Sequence, residues 1–173
     1  QELFDVRNRS LLDSGTHLDR EITQQIFENS TNRSLKIQSF KKLYVTNKAQ
    51  AKISYEKVFA QSNTYERLAL IRLAMELDEF YQRHYVSILE QLSNFEQLTV
   101  LGAISELGLK QYETNLIDLL TDSEGVVYDQ IIYTLACIGS EKSFEPLYKA
   151  FQNDVQNPAI TYAITQLELP KVD

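Results

Sequence analysis

Hydrophobic residues recur at steps of three and four positions over most of the chain, with polar residues between them. One such series runs through Leu98, Leu101, Ile104 and Leu107. This spacing is that of one face of an α-helix rather than of a β-strand. The pattern therefore predicts a chain of amphipathic helices.

The helical pattern also repeats itself. Similar segments begin at Leu107-Gly108 and at Ile138-Gly139, 31 residues apart. Upstream, Leu77 aligns with Leu107 at an offset of 30. A period in this range indicates a solenoid, because each unit is too small to bury its own apolar face and has to stack on a neighbour. The predicted first helices of the repeats lie at about 64–77, 94–107, 124–138 and 158–168, and the second helices at about 80–92, 111–121 and 142–153.

Local signals mark where these helices begin and end. Capping boxes, or an N-cap followed by proline, occur at Asn63–Glu66, Ser93–Glu96 and Asn157-Pro158. In each, a side chain accepts a hydrogen bond from a first-turn N–H that has no partner within the helix. Gly108 and Gly139 are expected just beyond the ends of first helices, where glycine adopts the left-handed conformation that closes a helix.

The N-terminal third has helical spacing but no repeat. Helices are predicted at about 16–29, opened by the capping-box-like Thr16–Asp19, and at about 33–45 and 48–61. The segments Leu35–Ile37 and Leu43–Val45 are also compatible with short β-segments. We expect residues 1–62 to form a helical cap on the repeats at 63–173, within one continuous domain.

The repeated strings resemble HEAT repeats. They are Ala103–Gly108 followed by Leu116–Leu120, and Thr134–Gly139 followed by Glu145–Phe151. Their short spacing is similar to that of the repeats in phycobilisome lyases, and the resemblance covers about residues 63–173. It implies an all-α, ARM-type αα-superhelix, a solenoid of stacked antiparallel helix hairpins. It carries no catalytic residue onto this chain, and the arginine common in HEAT first helices is matched only by Arg72.

Composition and charge narrow the classes of function. Hydrophobic residues make up 43% and charged residues 24% of the chain, with only 5 Gly and 3 Pro, which favours a globular helical fold. The net charge of −7 disfavours nucleic acid as a partner, because its backbone is anionic. No apolar run is long enough for membrane insertion. Two compartments stay open: cytoplasmic, or exported or membrane-tethered if Gln1 follows a removed leader or anchor.

Few side chains capable of covalent or metal chemistry are present. The single cysteine excludes an intrachain disulfide, and the two histidines are far apart, so neither a metal nor another cofactor is predicted. Cys137 stands in an apolar run and is expected to be buried. There is no phosphate-binding loop, nucleophile elbow or kinase signature, so an enzyme is the less favoured class.

The second helices carry the candidate binding surface, because they line the concave side of HEAT-like stacks. Tyrosines recur on them, and tyrosine provides a large contact area at low entropic cost. The alternative, that these tyrosines pack inside the stack, stays open. The candidate partner-binding residues, chosen because they are predicted to face outward, are Arg83, His84, Tyr112, Glu113, Asp118, Tyr148 and Lys149.

The sequence therefore predicts a non-enzymatic scaffold for protein–protein interaction that binds a protein partner in this groove. The alternative is an enzyme or cofactor chaperone akin to bilin lyases, using the same groove. The last helix has no second helix after it. If Tyr162 and Leu169 are exposed, this end of the chain is a candidate homodimer contact or a cut through a longer protein.

Overall fold

A computed structural model describes residues 20–167 of the chain. Within that range the protein is all-helical, with ten α-helices, two 3₁₀ helices and no strand, which confirms the predicted all-α class. The α-helices are α1 (Arg20–Asn29), α2 (Arg33–Thr46), α3 (Lys48–Gln61), α4 (Thr64–Leu77), α5 (Glu79–Ser87), α6 (Asn94–Glu106), α7 (Glu113–Leu119), α8 (Gly125–Ile138), α9 (Glu141–Asn153) and α10 (Pro158–Gln166). The predicted features at Thr16–Asp19 and Leu169 lie outside the described residues.

The helices lie close to their predicted bounds. Two second helices include a 3₁₀ turn, Leu89–Gln91 after α5 and Lys110–Tyr112 before α7. The alternative of short β-segments in the N-terminal third is wrong. Both segments lie within α2, where Leu35 and Leu43 are buried.

The chain divides into two compact units, and the division falls inside α4 after Leu73. The first unit contains α1 to α3 and the beginning of α4, and the second continues from the rest of α4 through α10. Each unit has its own fully buried hydrophobic side chains, such as Phe40 in the first and Leu101 in the second.

Aromatic side chains form the centre of the first unit. Helices α1, α2 and α3 all pack against one another. The ring centroid of Phe40 on α2 lies 4.9 Å from that of Phe27 on α1 and 5.4 Å from that of Tyr55 on α3. Aromatic pairs at such distances add a geometric preference to the burial of area. This cluster therefore helps to fix how the three helices pack.

A carboxylate, Glu28, joins α1 to α3. Its Oε1 accepts hydrogen bonds from Gln24 Nε2 at 2.7 Å and from the Ser54 hydroxyl at 2.9 Å, and its Oε2 pairs with Lys57. Burial opposes the negative charge, but the hydrogen bonds from Lys57, Gln24 and Ser54 outweigh it and lower the pKa of Glu28. Glu28 is therefore ionised and held in place at neutral pH.

In the second unit, helices that alternate along the chain pack against one another. Among the first helices, α8 packs against both α6 and α10, while the second helices α7 and α9 pack against each other. Helix α7 also packs against α8, and α9 against α10. The buried face of α9 is narrow, with only Ser143 and Leu147 buried. Much of the surface of this second helix therefore remains accessible.

The predicted helix starts are confirmed at Asn63–Glu66, Ser93–Glu96 and Asn157-Pro158. At the start of α6, the N–H and the hydroxyl of Ser93 both donate to Glu96 Oε2, at 3.1 and 2.7 Å. At the start of α10, Asn157 Oδ1 accepts from the Ala159 N–H at 2.9 Å. These bonds satisfy backbone groups that the helices themselves leave without partners.

The two glycines at helix ends have different roles. Gly108 has φ +62°, and the N–H of the next residue, Leu109, donates to the Ile104 carbonyl oxygen at 3.0 Å, as in a Schellman-type helix end. Gly139 has φ −64°, so its predicted left-handed role is wrong. Glycine is required there by crowding, because a Cβ would overlap the backbone of the preceding turn and lie 2.8 Å from Ser143 Oγ.

Alanine at two glycine positions is expected to change stability in opposite directions. Gly139→Ala should lower the free energy of unfolding by about 2 kcal/mol, because the added methyl group overlaps the Leu135 carbonyl oxygen. Gly102→Ala, inside α6 with open space around the position, should raise it by about 0.5–1 kcal/mol, since alanine favours a helix more than glycine does. Urea unfolding measures both values, and an unchanged or raised free energy of unfolding for Gly139→Ala would contradict the crowding at that position.

Cys137 is exposed, so its predicted burial is wrong. It lies on α8, whose buried side includes Ile131, Leu135 and Ile138. The apolar run in the sequence continues around the circumference of this helix, whereas only one side of the helix faces the core. A continuous apolar run therefore did not distinguish the buried residues from the exposed cysteine.

Candidate functional site

A groove lies between the second helices α7 and α9, and we call it the α7–α9 groove. Its volume is about 630 Å³. It is lined by Ile117, Asp118, Leu120, Thr121, Tyr128, Pro146, Lys149, Ala150 and Asn153. The fully buried Leu116 and Leu147 anchor α7 and α9 to the core and so set the positions of its two walls. Asp118 and Lys149, two of the predicted partner-binding residues, are thereby brought to one surface.

Two smaller depressions, which we call the side hollows, continue from this groove: the first adjoins the groove, and the second adjoins the first. One has a volume of about 210 Å³, is lined by the end of α5, the following 3₁₀ turn and α7, and shares Asp118 with the groove. The other, of about 230 Å³, shares Glu90 with the first hollow and is lined by Asp122 and Glu124 among others. The groove and the first hollow together thus extend from α9 to the 3₁₀ turn after α5.

Of the two charged side chains that line the groove, one forms an ion pair and the other does not. Lys149 Nζ lies 3.4 Å from Oε1 of Glu145, one turn earlier on α9. Asp118 is exposed and has no ion pair within the described part of the chain. The groove therefore presents an uncompensated carboxylate opposite a lysine that is already paired on its own helix.

Tyr128, on the first helix α8, is one of the residues that line the groove. Burial, and then the carboxylates of Asp154 and Asp129, raise its pKa. Its hydroxyl is therefore protonated at neutral pH. It can donate a hydrogen bond to a bound molecule.

Glu113 is buried, only 8% exposed, so its predicted outward position is wrong. Its carboxylate accepts from the Ser140 N–H at 2.6 Å, from the Ser140 hydroxyl at 2.9 and 3.0 Å, and from the Ser143 hydroxyl at 2.7 Å. Burial opposes its charge, but these hydrogen bonds, together with the charge of Lys142, outweigh burial and lower the pKa of Glu113. The carboxylate also meets the positive end of the α9 dipole. Glu113 is a structural link between the starts of α7 and α9.

Tyr112 is also buried, only 7% exposed, so its predicted outward position is wrong too. It belongs to the 3₁₀ turn before α7. Burial and then the charge of Glu79 raise its pKa, while Gln111 and Arg83 act in the opposite direction. Its electrostatic neighbours thus include α5, and its ring is part of the packing of the second helices.

Arg83 and His84 are exposed on α5, as predicted. Arg83 Nε lies 3.8 Å from Glu79 Oε1, in a largely exposed pair of the kind that stabilises proteins little. The His84 ring stacks on Phe80 with centroids 6.5 Å apart. Neither predicted residue lines the α7–α9 groove or the side hollows.

Tyr148 is exposed, at 42%, and stacks on Phe144 with ring centroids 5.9 Å apart. It does not line the groove, although its neighbour Lys149 does. Tyr81 and Tyr85 on α5 are buried. For these two tyrosines and Tyr112, the alternative of packing inside the protein is therefore the correct one.

Seven of the nine groove residues, among them Tyr128, Pro146 and Asn153, are missing from the sequence prediction. Tyr128 belongs to a first helix, so its place in the groove depends on how α8 packs against α7, which the sequence pattern does not show. Pro146 offered a signal, because a proline inside a predicted helix removes a backbone hydrogen bond and indicates an unusual helix surface. Asn153 ends α9 and carried no comparable signal.

The polar groups of the groove can bind a molecule through hydrogen bonds and ion pairs, using the Asp118 carboxylate, the Thr121 hydroxyl and the Asn153 amide. Among residues 20–167, no group of three or more His, Cys, Asp or Glu side chains is arranged to hold a metal ion. No helix in that range is both long and apolar enough to cross a bilayer. Comparison with models of protein families, with curated proteins and with solved structures gives no match to this chain.

Proposed function

We propose that the second unit is a short HEAT-like αα-solenoid that acts as a scaffold for protein–protein interaction. The packing of the first helices α6, α8 and α10 in chain order, with α7 and α9 beside them, supports this fold. The 30–31 residue period of the sequence supports it independently. In a solenoid each repeat contacts its neighbours, and the repeats together create an extended binding surface.

The α7–α9 groove is the observation that carries the proposed function. Its volume of about 630 Å³ is large enough to receive several side chains of a partner. Apolar Ile117 and Leu120 lie beside polar Asp118 and Thr121 in its lining. Apolar surface edged by polar groups is typical of protein interfaces, and a groove between helices accepts a peptide segment side-on.

A steric block tests this function. Thr121→Trp places an indole at the exposed edge of the groove and is expected to weaken partner binding about tenfold or more, because it occupies the space of the partner. Thr165→Trp, at an exposed position of α10 outside the groove, is the matched control. The measurement is affinity capture from cells that make the protein, with wild type and both variants, followed by titration of each captured protein against the purified chain.

A protein that binds wild type and Thr165→Trp but not Thr121→Trp would support the scaffold function. Equal binding to all three would place the partner on another surface and contradict the proposed site. Circular dichroism of both variants checks that the helices are intact.

The second candidate function is that of a bilin-lyase-like enzyme or cofactor chaperone. The groove volume lies within the range of about 300–1,000 Å³ usual for small-ligand sites. The unpaired Asp118 disfavours this second function, because bilins carry carboxylates that a negative groove repels. Native mass spectrometry of the purified chain separates the two functions: a bound pigment that Thr121→Trp displaces would favour this second one.

A further inference from the structure

The surface formed by the groove and the side hollows is strongly acidic. Four exposed carboxylates, those of Glu90, Asp118, Asp122 and Glu124, line these depressions. None of the four forms an ion pair with another described residue. Their charge is therefore available to a partner.

Basic residues compensate this charge very little. Among the described residues that line the groove and the hollows, Lys149 is the only lysine or arginine. Its ammonium group is already 3.4 Å from Glu145, on the same helix. The carboxylates of Asp154 and Asp129 add negative charge near Tyr128 in the groove lining.

The groove itself is also apolar. Ile117, Leu120, Pro146 and Ala150 contribute to its lining between the charged positions. A purely ionic partner would leave this apolar surface exposed to water and would not gain the favourable free energy of burying it. Apolar side chains in the groove and cations above the carboxylates would complement both features at once.

We propose that the occupant of the α7–α9 groove is a basic, amphipathic segment of a partner protein, which inserts apolar side chains between α7 and α9 and places lysine or arginine beside Asp118 and Glu90. The inference rests on the proposed scaffold function and specifies its partner. It excludes acidic segments and nucleic acid, since the carboxylates repel both.

The test uses three fluorescein-labelled synthetic peptides of equal length: alternating Leu and Lys, alternating Leu and Glu, and alternating Ser and Lys. Fluorescence anisotropy with the whole chain measures their affinities at low and at physiological salt. We expect the Leu/Lys peptide to bind most tightly, the Ser/Lys peptide to bind more weakly, and the Leu/Glu peptide not to bind. Binding of the Leu/Lys peptide should weaken as salt rises.

Charge reversal separates groove binding from general attraction to an acidic protein. Asp118→Lys is expected to lower the affinity for the Leu/Lys peptide about fivefold. It should not disturb folding, because the position is exposed and close to the C-terminal end of α7, where a cation is favourable. Glu56→Lys makes the same charge change at an exposed position of α3 in the first unit and is expected to alter binding less than about twofold.

The outcomes distinguish this inference from the scaffold function on which it rests. Equal weakening by Asp118→Lys and Glu56→Lys, tighter binding of the Leu/Glu peptide, or no binding of any peptide would overturn the inference. In each of these cases the scaffold function still stands if Thr121→Trp abolishes capture of a cellular partner. Failure of the wild-type protein to capture any cellular partner would overturn the scaffold function itself.

Discussion

Replacing Glu113 with alanine is expected to lower the free energy of unfolding by about 3 kcal/mol. The substitution removes the acceptor for the Ser140 N–H, the Ser140 hydroxyl and the Ser143 hydroxyl. Ser143 is fully buried, so its hydroxyl would lose its carboxylate partner with no access to water. Urea unfolding followed by circular dichroism at neutral pH measures the change.

The matched control for this substitution is Glu141→Ala, at an exposed position of α9 that does not take part in the network. It is expected to change stability by less than about 0.5 kcal/mol. A double-mutant cycle of Glu113→Ala with Ser143→Ala should give a coupling energy of about 1 kcal/mol or more. Additive effects of the two substitutions would contradict the hydrogen bond between these residues.

The effect of Glu113 should depend on pH, because its pKa is lower in the folded protein than in the unfolded chain. The charged form stabilises the fold above the unfolded pKa, and this contribution is lost as the pH falls through the folded pKa. The stability difference between wild type and Glu113→Gln should therefore be largest at neutral pH and shrink below about pH 4. The lowered pKa of Glu28 is common to both proteins and cancels in the difference. A difference that grows on acidification would contradict the assignment.

The helices and their starts could be predicted from the sequence because the causes are local. The three- and four-residue spacing of apolar side chains and the capping box at Ser93–Glu96 act within one or two turns of chain. The roles of Gly139 and Cys137 could not be predicted in the same way. Glycine is required at position 139 because a Cβ would overlap the Leu135 carbonyl oxygen and crowd Ser143, and the apolar spacing does not show this clash. The exposure of Cys137 depends on which side of α8 meets its neighbours.

The candidate site was predicted only in part, for a similar reason. Asp118 and Lys149 reach the groove because they follow the buried Leu116 and Leu147 by two positions, a relation already present in the periodicity. Glu113 has the same polar character as Asp118 in the sequence. It is buried because Ser140 and Ser143 of another helix supply three donors, a tertiary arrangement that single-sequence patterns do not contain.

Phe40→Ala is expected to have the largest effect of any substitution considered, lowering the free energy of unfolding of the first unit by about 4 kcal/mol. Phe40 has no solvent exposure, and its ring meets those of Phe27, Tyr44 and Tyr55. Truncation to alanine leaves a cavity at the meeting point of α1, α2 and α3 and removes these aromatic contacts. Phe40→Leu keeps part of the side-chain volume and should lower the free energy of unfolding by less.

Phe95→Ala is the matched control, because it makes the same substitution at a side chain that is 65% exposed on α6. It should change stability by less than about 0.5 kcal/mol. Hydrogen exchange locates the effect: Phe40→Ala should speed exchange of the amides in α1 to α3 most strongly, since opening of a region depends on its own buried contacts. An equal loss of free energy of unfolding in Phe40→Ala and Phe95→Ala would contradict the central role of the aromatic cluster in the packing of the first unit.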